Sequence, residues 1–540
     1  GGSCPERLCV LFVLVAVLRL SLIAADDSEL YTLARPLPLH QVLPLVRCLK
    51  ELLFRTLQAD PAVLLDPTAG GAGSAGGGGS GGKAQGERQE RHACMGAVTG
   101  VLADLHARWA RRPFSAAALW EVEESSAHTL AEIRTRTPLG QALLKAMPWC
   151  VDFHQRMLLF RGILDAERLQ VQGSNDIMGP ERSRGSLVRV RRSRLLEDGM
   201  EAFSLVNLKD RIVVRYVSDF GEEAGIDAGG LFKDLLTDLS KTFDPSYGLF
   251  KLTPQHLLYP NPSAGLLYAD QESLFLFLGR LLGKALFENV TLQPQFAHFF
   301  LALMGTYNFA GLLNDLGSLD PELHKNLLFL KNYEGDICDL GLTFSVVDEA
   351  LGGNREVELL PGGANLDVTS HNRHRYVSLC AKYYLHDRMK AQARAFFSGL
   401  HQAVHPEWLC LFCAPELQIL LSGSQLGLSL EDLKTHTRYS GYLPLDPQIS
   451  RFWSVLASLE AADQALLLRF VTSCERPPSL GFAGLSPPFT IQRVECADDL
   501  RLPSASTCFN ILKLPTYSST GVMKAKLLQS VRAKAGFDLS

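Results

Sequence analysis

The sequence predicts an α+β chain in two lobes preceded by an α-helical arm, and three observations carry that prediction. Helical apolar spacing dominates, yet Arg211–Val217, Leu340–Val346 and Arg355–Leu359 read as strands, the last two joined through Gly352-Gly353. Glycines punctuate the chain unevenly: nine of 45 fall between Gly70 and Gly82. A second break, flanked by Gly423 and Gly427, sets off a last unit of roughly 110 residues, an ordinary size for a small domain. At 540 residues the chain exceeds what one core usually fills.

The first element is the apolar run Cys9–Ala25. Arg7 ahead of it imitates a signal peptide, but Arg19 interrupts it, and a membrane span needs about 20 uninterrupted apolar residues. The expectation is a buried helix. The chain begins at Gly1 without a methionine, as an N-terminally incomplete sequence would. Pro36–Leu57 fits a second packed helix, and residues 1–66 form the arm. Residues 67–92 are expected to be a flexible linker, because Ala69–Gly82 holds almost nothing that can be buried and Lys83–Arg91 is polar. Gly77, Gly82 and Lys83 have P-loop spacing, but Ala84 follows where Ser or Thr would hold magnesium, and no apolar strand precedes. Residues 93–185 read as helices, broken at Pro148.

The first lobe is placed at 186–422. Its basic opening, Arg182 to Arg194, interleaves Leu187, Val188 and Val190, which suits a strand with a solvated edge better than a localisation signal. Ala228–Phe243, Glu272–Phe287, Phe296–Gly305 and Tyr376–Val404 read as helices. Residues 423–427 form the expected hinge. The second lobe, 428–540, starts with helices at Ile449–Leu459 and Asp463–Val471 and ends in proline-punctuated short strands.

Fifty-three basic against fifty-seven acidic residues give a net charge of −4, so nucleic acid is not an expected partner; nor is a membrane, given the interrupted apolar run. Twelve scattered cysteines point to a reducing compartment, cytosol or nucleus, with most of them buried packing residues. Cys410-Leu-Phe-Cys413 lies in an apolar stretch, Glu407–Leu421, that reads as one helix. No second CxxC completes a four-ligand site, so no metal is expected.

The last unit contains Arg501-Leu-Pro-Ser-Ala-Ser-Thr-Cys-Phe-Asn510, then Leu514-Pro-Thr-Tyr517, and ends Gly536-Phe-Asp-Leu-Ser540. Upstream, in order, stand Asp219–Phe232, Leu258-Tyr-Pro-Asn-Pro262, Leu278-Gly-Arg-Leu-Leu-Gly-Lys-Ala-Leu286, Asn326–Glu334, Leu430-Glu-Asp-Leu433 and Phe470–Pro478. Each is weak alone. Together they resemble the HECT-type ubiquitin ligases over about 340 residues, whose LPxxxTCxN segment carries a thioester cysteine. Tyr259-Pro-Asn-Pro262 and the final Ala-Gly-Phe-Asp-Leu-Ser are most similar to the type C branch of that family.

The resemblance implies an E3 ubiquitin transferase with a mainly helical N-lobe and an α/β C-lobe, working with a ubiquitin-charged E2, ubiquitin, protein substrates and, for the type C branch, the proteasome. No cofactor is implied. Cys508 would hold ubiquitin as a thioester, and Thr507 and Asn510 would shape its loop. Many members have His two residues before the cysteine; here it is Ser506. Phe537 would orient the C-lobe for transfer to lysine. Asp538 is either the acceptor of the lysine proton or a solvated tail residue. The E2 groove would use Leu330, Tyr333, Leu340, Leu342 and Tyr376; Leu340 and Leu342, two apart on an expected strand, face either groove or core. Gly423 and Gly427 would permit the C-lobe to swing. The family commonly has one residue more than Tyr439-Ser-Gly-Tyr442, so that turn must be rearranged.

The residues themselves are compatible with the same chemistry, although taken alone they read Cys508 as a buried packing cysteine, as free cysteines usually are, and it is the resemblance that reverses this reading. A thiolate exchanges with another thioester almost isoenergetically, and Cys508 sits among small polar residues between Pro503 and Pro515, a loop setting. A cysteine hydrolase would need a histidine base, and after Gly427 only His436 is available. An inactive scaffold is the other alternative, against which stand Cys508 and Phe537. Substrates and chain linkage do not follow from the sequence.

Overall fold

The computed structural model describes residues 4–65, 81–121, 126–173, 185–218, 221–222, 230–304, 312–350, 353–424, 427–485, 487–496 and 499–533. Apolar spacing builds three separate cores, one for the arm and one for each lobe.

The arm consists of α1 (Cys4–Ala24), α2 (Asp27–Tyr31), α3 (Leu39–Ala59), α4 (Ala62–Leu65), α5 (Gly81–Arg111), α6 (Ser126–Arg134), α7 (Pro138–Ala146) and α8 (Phe153–Gln172). Two expectations need correction here. Helix α1 is not buried: Val15 and Leu22 face α5, whereas Val10, Val13, Leu14, Val17 and Leu20 are exposed. Its apolar residues run all around the helix, so a single partner covers only one side. Residues 81–92, expected as linker, are the first turns of α5. The buried face Cys94, Met95 and Val98 anchors the helix, and Glu87-Arg-Gln-Glu-Arg91, all good helix formers, extend it backwards.

The boundary at 186 also moves. Helix α8 belongs to both cores, giving Leu159 to the arm and Met157, Phe160 and Leu164 to the N-lobe. Arg156 rivets the two: its guanidinium donates to Glu416 through both nitrogens at 2.7 and 2.8 Å and to the Leu411 carbonyl at 2.6 Å. Burial by itself would raise the Glu416 pKa, but the Arg156 hydrogen bonds and charge hold it below the usual range.

The N-lobe opens with β1 (Ser186–Arg191), α9 (Leu195–Leu205), β2 (Ile212–Ser218) and β3 (Gly221–Glu222), in a sheet ordered β1-β2-β3 with β1 and β2 parallel. Then follow α10 (Gly230–Leu239), the hairpin β4 (Phe250–Leu252) and β5 (Leu258–Pro260), α11 (Ala264–Leu267), α12 (Gln271–Phe287), α13 (His298–Ala302), α14 (Leu312–Leu319) and α15 (Pro321–Lys331). The hairpin β6 (Ser345–Ala350) and β7 (Gly353–Glu358) leads to α16 (Arg373–Leu385), α17 (Lys390–His401), α18 (Pro406–Leu409) and α19 (Ala414–Ser422). Helix α12 crosses α17 so closely that a Cβ on Gly279 would lie 1.8 Å from the Phe396 carbonyl oxygen.

Three expected elements are shorter than the pattern suggested. Tyr376–Val404 is two helices, because the chain leaves helical geometry at His386, which lets Leu385 and Met389 both enter the core. Glu407–Leu421 breaks at Cys410–Cys413, where Cys413 caps α19 ahead of Pro415. Of Phe296–Gly305, the described residues up to 304 keep only the short α13, and Gly305 lies outside them. The cysteines are less uniformly buried than expected: Cys94, Cys150, Cys380 and Cys474 are buried, but Cys9, Cys48, Cys338 and Cys410 are exposed on the outer faces of helices and turns.

The C-lobe comprises α20 (Leu430–His436), β8 (Arg438–Ser440), α21 (Pro447–Ala457), α22 (Ala461–Thr472), β9 (Thr490–Val494), β10 (Ser504–Ser506), β11 (Ile511–Pro515) and α23 (Thr520–Arg532). The sheet order is β10-β11-β9-β8. Strands β11 and β8 run parallel to β9, and β10 runs antiparallel to β11. The shortened Tyr439–Tyr442 turn closes through Gly441 at φ +76°, and the Tyr442 hydroxyl donates to the Leu514 carbonyl at 3.0 Å.

Candidate active site

Strands β10 and β11 pair from Ser504↔Lys513 to Ser506↔Ile511, and the chain between them closes in one tight 3₁₀ turn, Thr507–Phe509. The backbone of Cys508 is the centre of that turn, at the rim of the four-stranded sheet. Asn510 makes the reversal possible. It sits at φ +52°, ψ +41°, a left-handed conformation that asparagine tolerates. Its side chain is buried and donates from Nδ2 to the Pro487 carbonyl at 2.6 Å, while its own carbonyl accepts from Thr490 N at 2.9 Å. Thr507 is buried too, and among the described residues its Oγ1 has no hydrogen-bond partner. From α10 of the other lobe, Lys233 Nζ donates to the Thr507 carbonyl at 3.4 Å and to Asn510 Oδ1 at 3.3 Å. The turn that carries the cysteine is therefore tied to both lobes.

The residues expected in the E2 groove separate into two groups. Leu330 and Tyr376 are core residues, 5% and 7% exposed; the Tyr376 ring stands edge-on to Phe344 at 5.5 Å, and burial raises its phenol pKa. Tyr333 is half-buried, Leu340 is 39% exposed and Leu342 is half-buried. The expected strand through Leu340 and Leu342 does not form. Asp336 caps a 3₁₀ turn over Ile337–Leu340, Gly341 turns left-handed at φ +59°, and the strand begins only at Ser345. Sequence reasoning missed Phe329, which is 62% exposed and whose ring lies tilted against that of Tyr333, with centroids 5.4 Å apart. A phenylalanine among leucines on α15 reads as core; only its position on the outer face marks it out.

Gly423 ends α19 at φ +83°, and a Cβ there would meet the Pro477 carbonyl oxygen at 2.6 Å, so glycine is required. Ser424 N donates to that same carbonyl at 3.0 Å, which ties the end of the N-lobe to the C-lobe. Gly427 has open space around it. Phe537 and Asp538 lie outside the described residues. His436 is engaged with Asp432 on its own helix, its Nδ1 2.9 Å from Oδ1. Among the described residues, no helix is long and apolar enough to cross a membrane.

Comparison with known proteins agrees with this geometry. The HECT-domain (ubiquitin-transferase) family matches residues 237–540, more than half of the chain and all of the Thr507–Asn510 turn. The chain is similar to E3 ubiquitin-protein ligase UPL6 of Arabidopsis thaliana, at 37% identity over 100% of this chain and 52% of the relative. It is similar to Ubiquitin-protein ligase E3B of Homo sapiens, at 38% over 82% of this chain and 45% of the relative. E3 ubiquitin-protein ligase HUL5 of Saccharomyces cerevisiae matches at 36% over 74% of this chain and 45% of its own. The chain spans about half the length of these relatives. With a cysteine-bearing turn, two lobes joined at Gly423 and a family match running through both, the chain belongs to the HECT-domain ubiquitin-transferase family.

Proposed function

We propose that this chain is an E3 ubiquitin transferase that accepts ubiquitin from a charged E2 onto Cys508 and passes it to a lysine of a substrate or of ubiquitin. The observation that carries this is the Thr507–Asn510 turn. It presents a cysteine backbone at the sheet rim, within a segment matched by the ubiquitin-transferase family.

In the first step the Cys508 thiolate attacks the carbonyl of the E2 thioester. A carbon–sulfur bond to Cys508 forms, the bond to the E2 sulfur breaks, and the E2 cysteine leaves as thiolate. In the second step a neutral lysine amine attacks the new thioester, Cys508 leaves as thiolate, and the amine gives up a proton. Asp538 is our choice for receiving that proton and Phe537 for orienting the lobe. Tyr333 and Leu340, joined by Phe329, offer the E2 an exposed apolar face, with Leu330, Leu342 and Tyr376 supporting it from behind; aromatic anchors of this kind carry much of the energy of interfaces. Gly423 to Gly427 is the pivot. Within the family we place the chain nearest the type C branch, working in cytosol or nucleus alongside the proteasome.

Incubation with a charged E2 and labelled ubiquitin tests the reading. The expected product is a reductant-sensitive adduct that Cys508→Ala abolishes; an equal adduct in that variant overturns it. Phe537→Ala should keep the adduct and slow its discharge to lysine.

A further inference from the structure

The arm reaches across to the back of the proposed E2 face. Helix α2 begins with Asp26 in a capping box: Asp26 Oδ1 accepts from Glu29 N at 2.9 Å, and Glu29 Oε2 accepts from Asp26 N at 2.8 Å. Lys331, the last residue of α15, drives its ammonium into that box. It pairs with Asp26 Oδ2 at 2.9 Å and with Glu29 Oε2. Lys331 and Asp26 are buried and Glu29 is partly exposed, so this is a largely buried three-group ion cluster between segments 305 and 302 residues apart in sequence.

Helix α2 is itself clamped from the far side. Arg108 of α5, also buried, pairs with Asp27 Oδ1 at 2.9 Å and donates to the Leu22 and Ala25 carbonyls at 2.6 Å each. Arg111 bridges Asp27 at 3.2 Å and Asp315 of α14 at 3.3 Å, and Asp27 N donates to Asn314 Oδ1 at 2.8 Å. The five-residue α2 is thus held between α5 and the α14–α15 pair by charge on both sides.

The place of Lys331 gives the contact its meaning. Successive helical residues are about 100° apart, so Lys331 points roughly opposite Phe329 on the last turn of α15. Leu327 and Leu330 fix that turn to the N-lobe core, Lys331 is gripped by the arm, and Phe329 with Tyr333 is left facing outward. Rotation of the turn about its axis would have to pull a buried ammonium out of two carboxylates, a strongly penalised displacement. Arg373 Nη1 adds a further restraint, donating to the Tyr333 carbonyl at 2.7 Å.

We propose that Asp26 and Glu29 of the arm are positioning residues for E2 docking, acting through Lys331 to set the orientation of Phe329 and Tyr333. The proposal rests on the reading of Phe329 and Tyr333 as an E2 face, and the test separates the two. Single-turnover loading of Cys508 is measured against charged-E2 concentration for the whole chain, alongside Lys331→Met, Lys331→Arg, Glu29→Gln and Phe329→Ala.

Lys331→Met should raise the half-saturating E2 concentration about 5- to 20-fold while the maximal loading rate and the discharge of preloaded ubiquitin stay within two-fold. Lys331→Arg should return most of the loss. Glu29→Gln, which keeps the Lys331–Asp26 pair, should give a smaller shift of the same kind and carries the test if Lys331→Met fails to fold. Folded variants with wild-type half-saturation overturn the positioning role when Phe329→Ala raises it. If Phe329→Ala leaves it unchanged as well, the E2 face itself is misplaced.

Discussion

Lys233 on α10 of the N-lobe and Asn510 beside Cys508 in the C-lobe are joined by a hydrogen bond of 3.3 Å, and the same ammonium reaches the Thr507 carbonyl at 3.4 Å. The two half-reactions of the proposed function make opposite demands on this tether. Collecting ubiquitin from an E2 requires the turn to move with its lobe, whereas attack by lysine benefits from a turn held still, since orientation is a large part of such rate enhancements. Lys233→Ala should therefore load at least as fast as the wild type and discharge about three- to ten-fold more slowly. Hydrogen bonds from a charged donor are worth about 1.5 kcal/mol or more, enough for a change of this size. Pulse–chase with a free-lysine acceptor separates the phases; slowed loading with normal discharge would exclude the tether.

The unpaired hydroxyl of Thr507 supports a second prediction. A buried oxygen without a partner costs about 1–3 kcal/mol, and native proteins seldom keep one without use. Thr507→Val removes the hydroxyl and keeps the shape. Thermal unfolding should show unchanged or slightly higher stability, about 1 kcal/mol at most. If ubiquitin loading or discharge falls in the same protein, the loss is chemical and not structural. Wild-type rates in Thr507→Val would leave the hydroxyl without a role in transfer.

The contrast between Cys508 and Tyr376 indicates what the sequence could and could not disclose. The loop around Cys508 was legible because a turn between short strands depends on local residues: Pro503 before it, a left-handed Asn510 after it, small polar neighbours between; its reading as a nucleophile came from the family resemblance. The burial of Tyr376 and Leu330 was not legible, because the motif resemblance that named them does not say what covers each side chain, and the cover for Tyr376 is Phe344, 32 residues earlier. Phe329 was missed for the same reason. The lobes and most helices followed from periodicity. The helical turns at 81–92 were in reach of local propensity and were lost to the glycine count, whereas the break at His386 and the ion cluster on Lys331 depend on partners that no window of neighbouring residues contains.

Close helix approach in the N-lobe makes Gly279 irreplaceable. A Cβ there would sit 1.8 Å from the Phe396 carbonyl oxygen, and one on Gly399 would sit 2.1 Å from the Leu276 carbonyl oxygen. Both obstacles are backbone and cannot turn aside, so α12 and α17 would have to separate. Gly279→Ala should cost more than about 3 kcal/mol, at the severe end for a single substitution. Gly162→Ala on α8 is the matched control, because nothing lies within 4 Å of its Cβ. In a helix that change should stabilise by about 0.5–1 kcal/mol. Chemical denaturation followed by helical circular dichroism distinguishes the two; equal midpoints would contradict the packing argument.

Acid sensitivity of the arm should trace to His106. Its ring stacks on Trp149 at 5.2 Å and stands edge-on to Trp120 at 5.0 Å. Burial pushes its pKa from 6.5 down to about 4, with a small upward pull from Glu416 and a downward one from Arg156. The folded protein therefore keeps His106 neutral at pH values where the unfolded chain already binds a proton. Stability is flat above the ordinary value and falls as pH drops from there toward about 4, by about 1.4 kcal/mol per unit. From pH 7 to pH 5 the loss comes to about 2 kcal/mol from this one group. The carboxyls of Asp26 and Glu416 work at lower pH, since their pKa values are held below the usual range and their stabilisation is lost only as pH falls through those values. His298, His324, His374 and His401 are shifted downward by burial in the same sense as His106. The measurement is therefore a difference: thermal unfolding at pH 7 and pH 5 for the wild type and for His106→Phe, whose ring suits the tryptophan cluster. The variant should lose about 2 kcal/mol less over that interval. Parallel losses in the two proteins would mean that His106 is protonated in the fold or that its cluster opens before the arm unfolds.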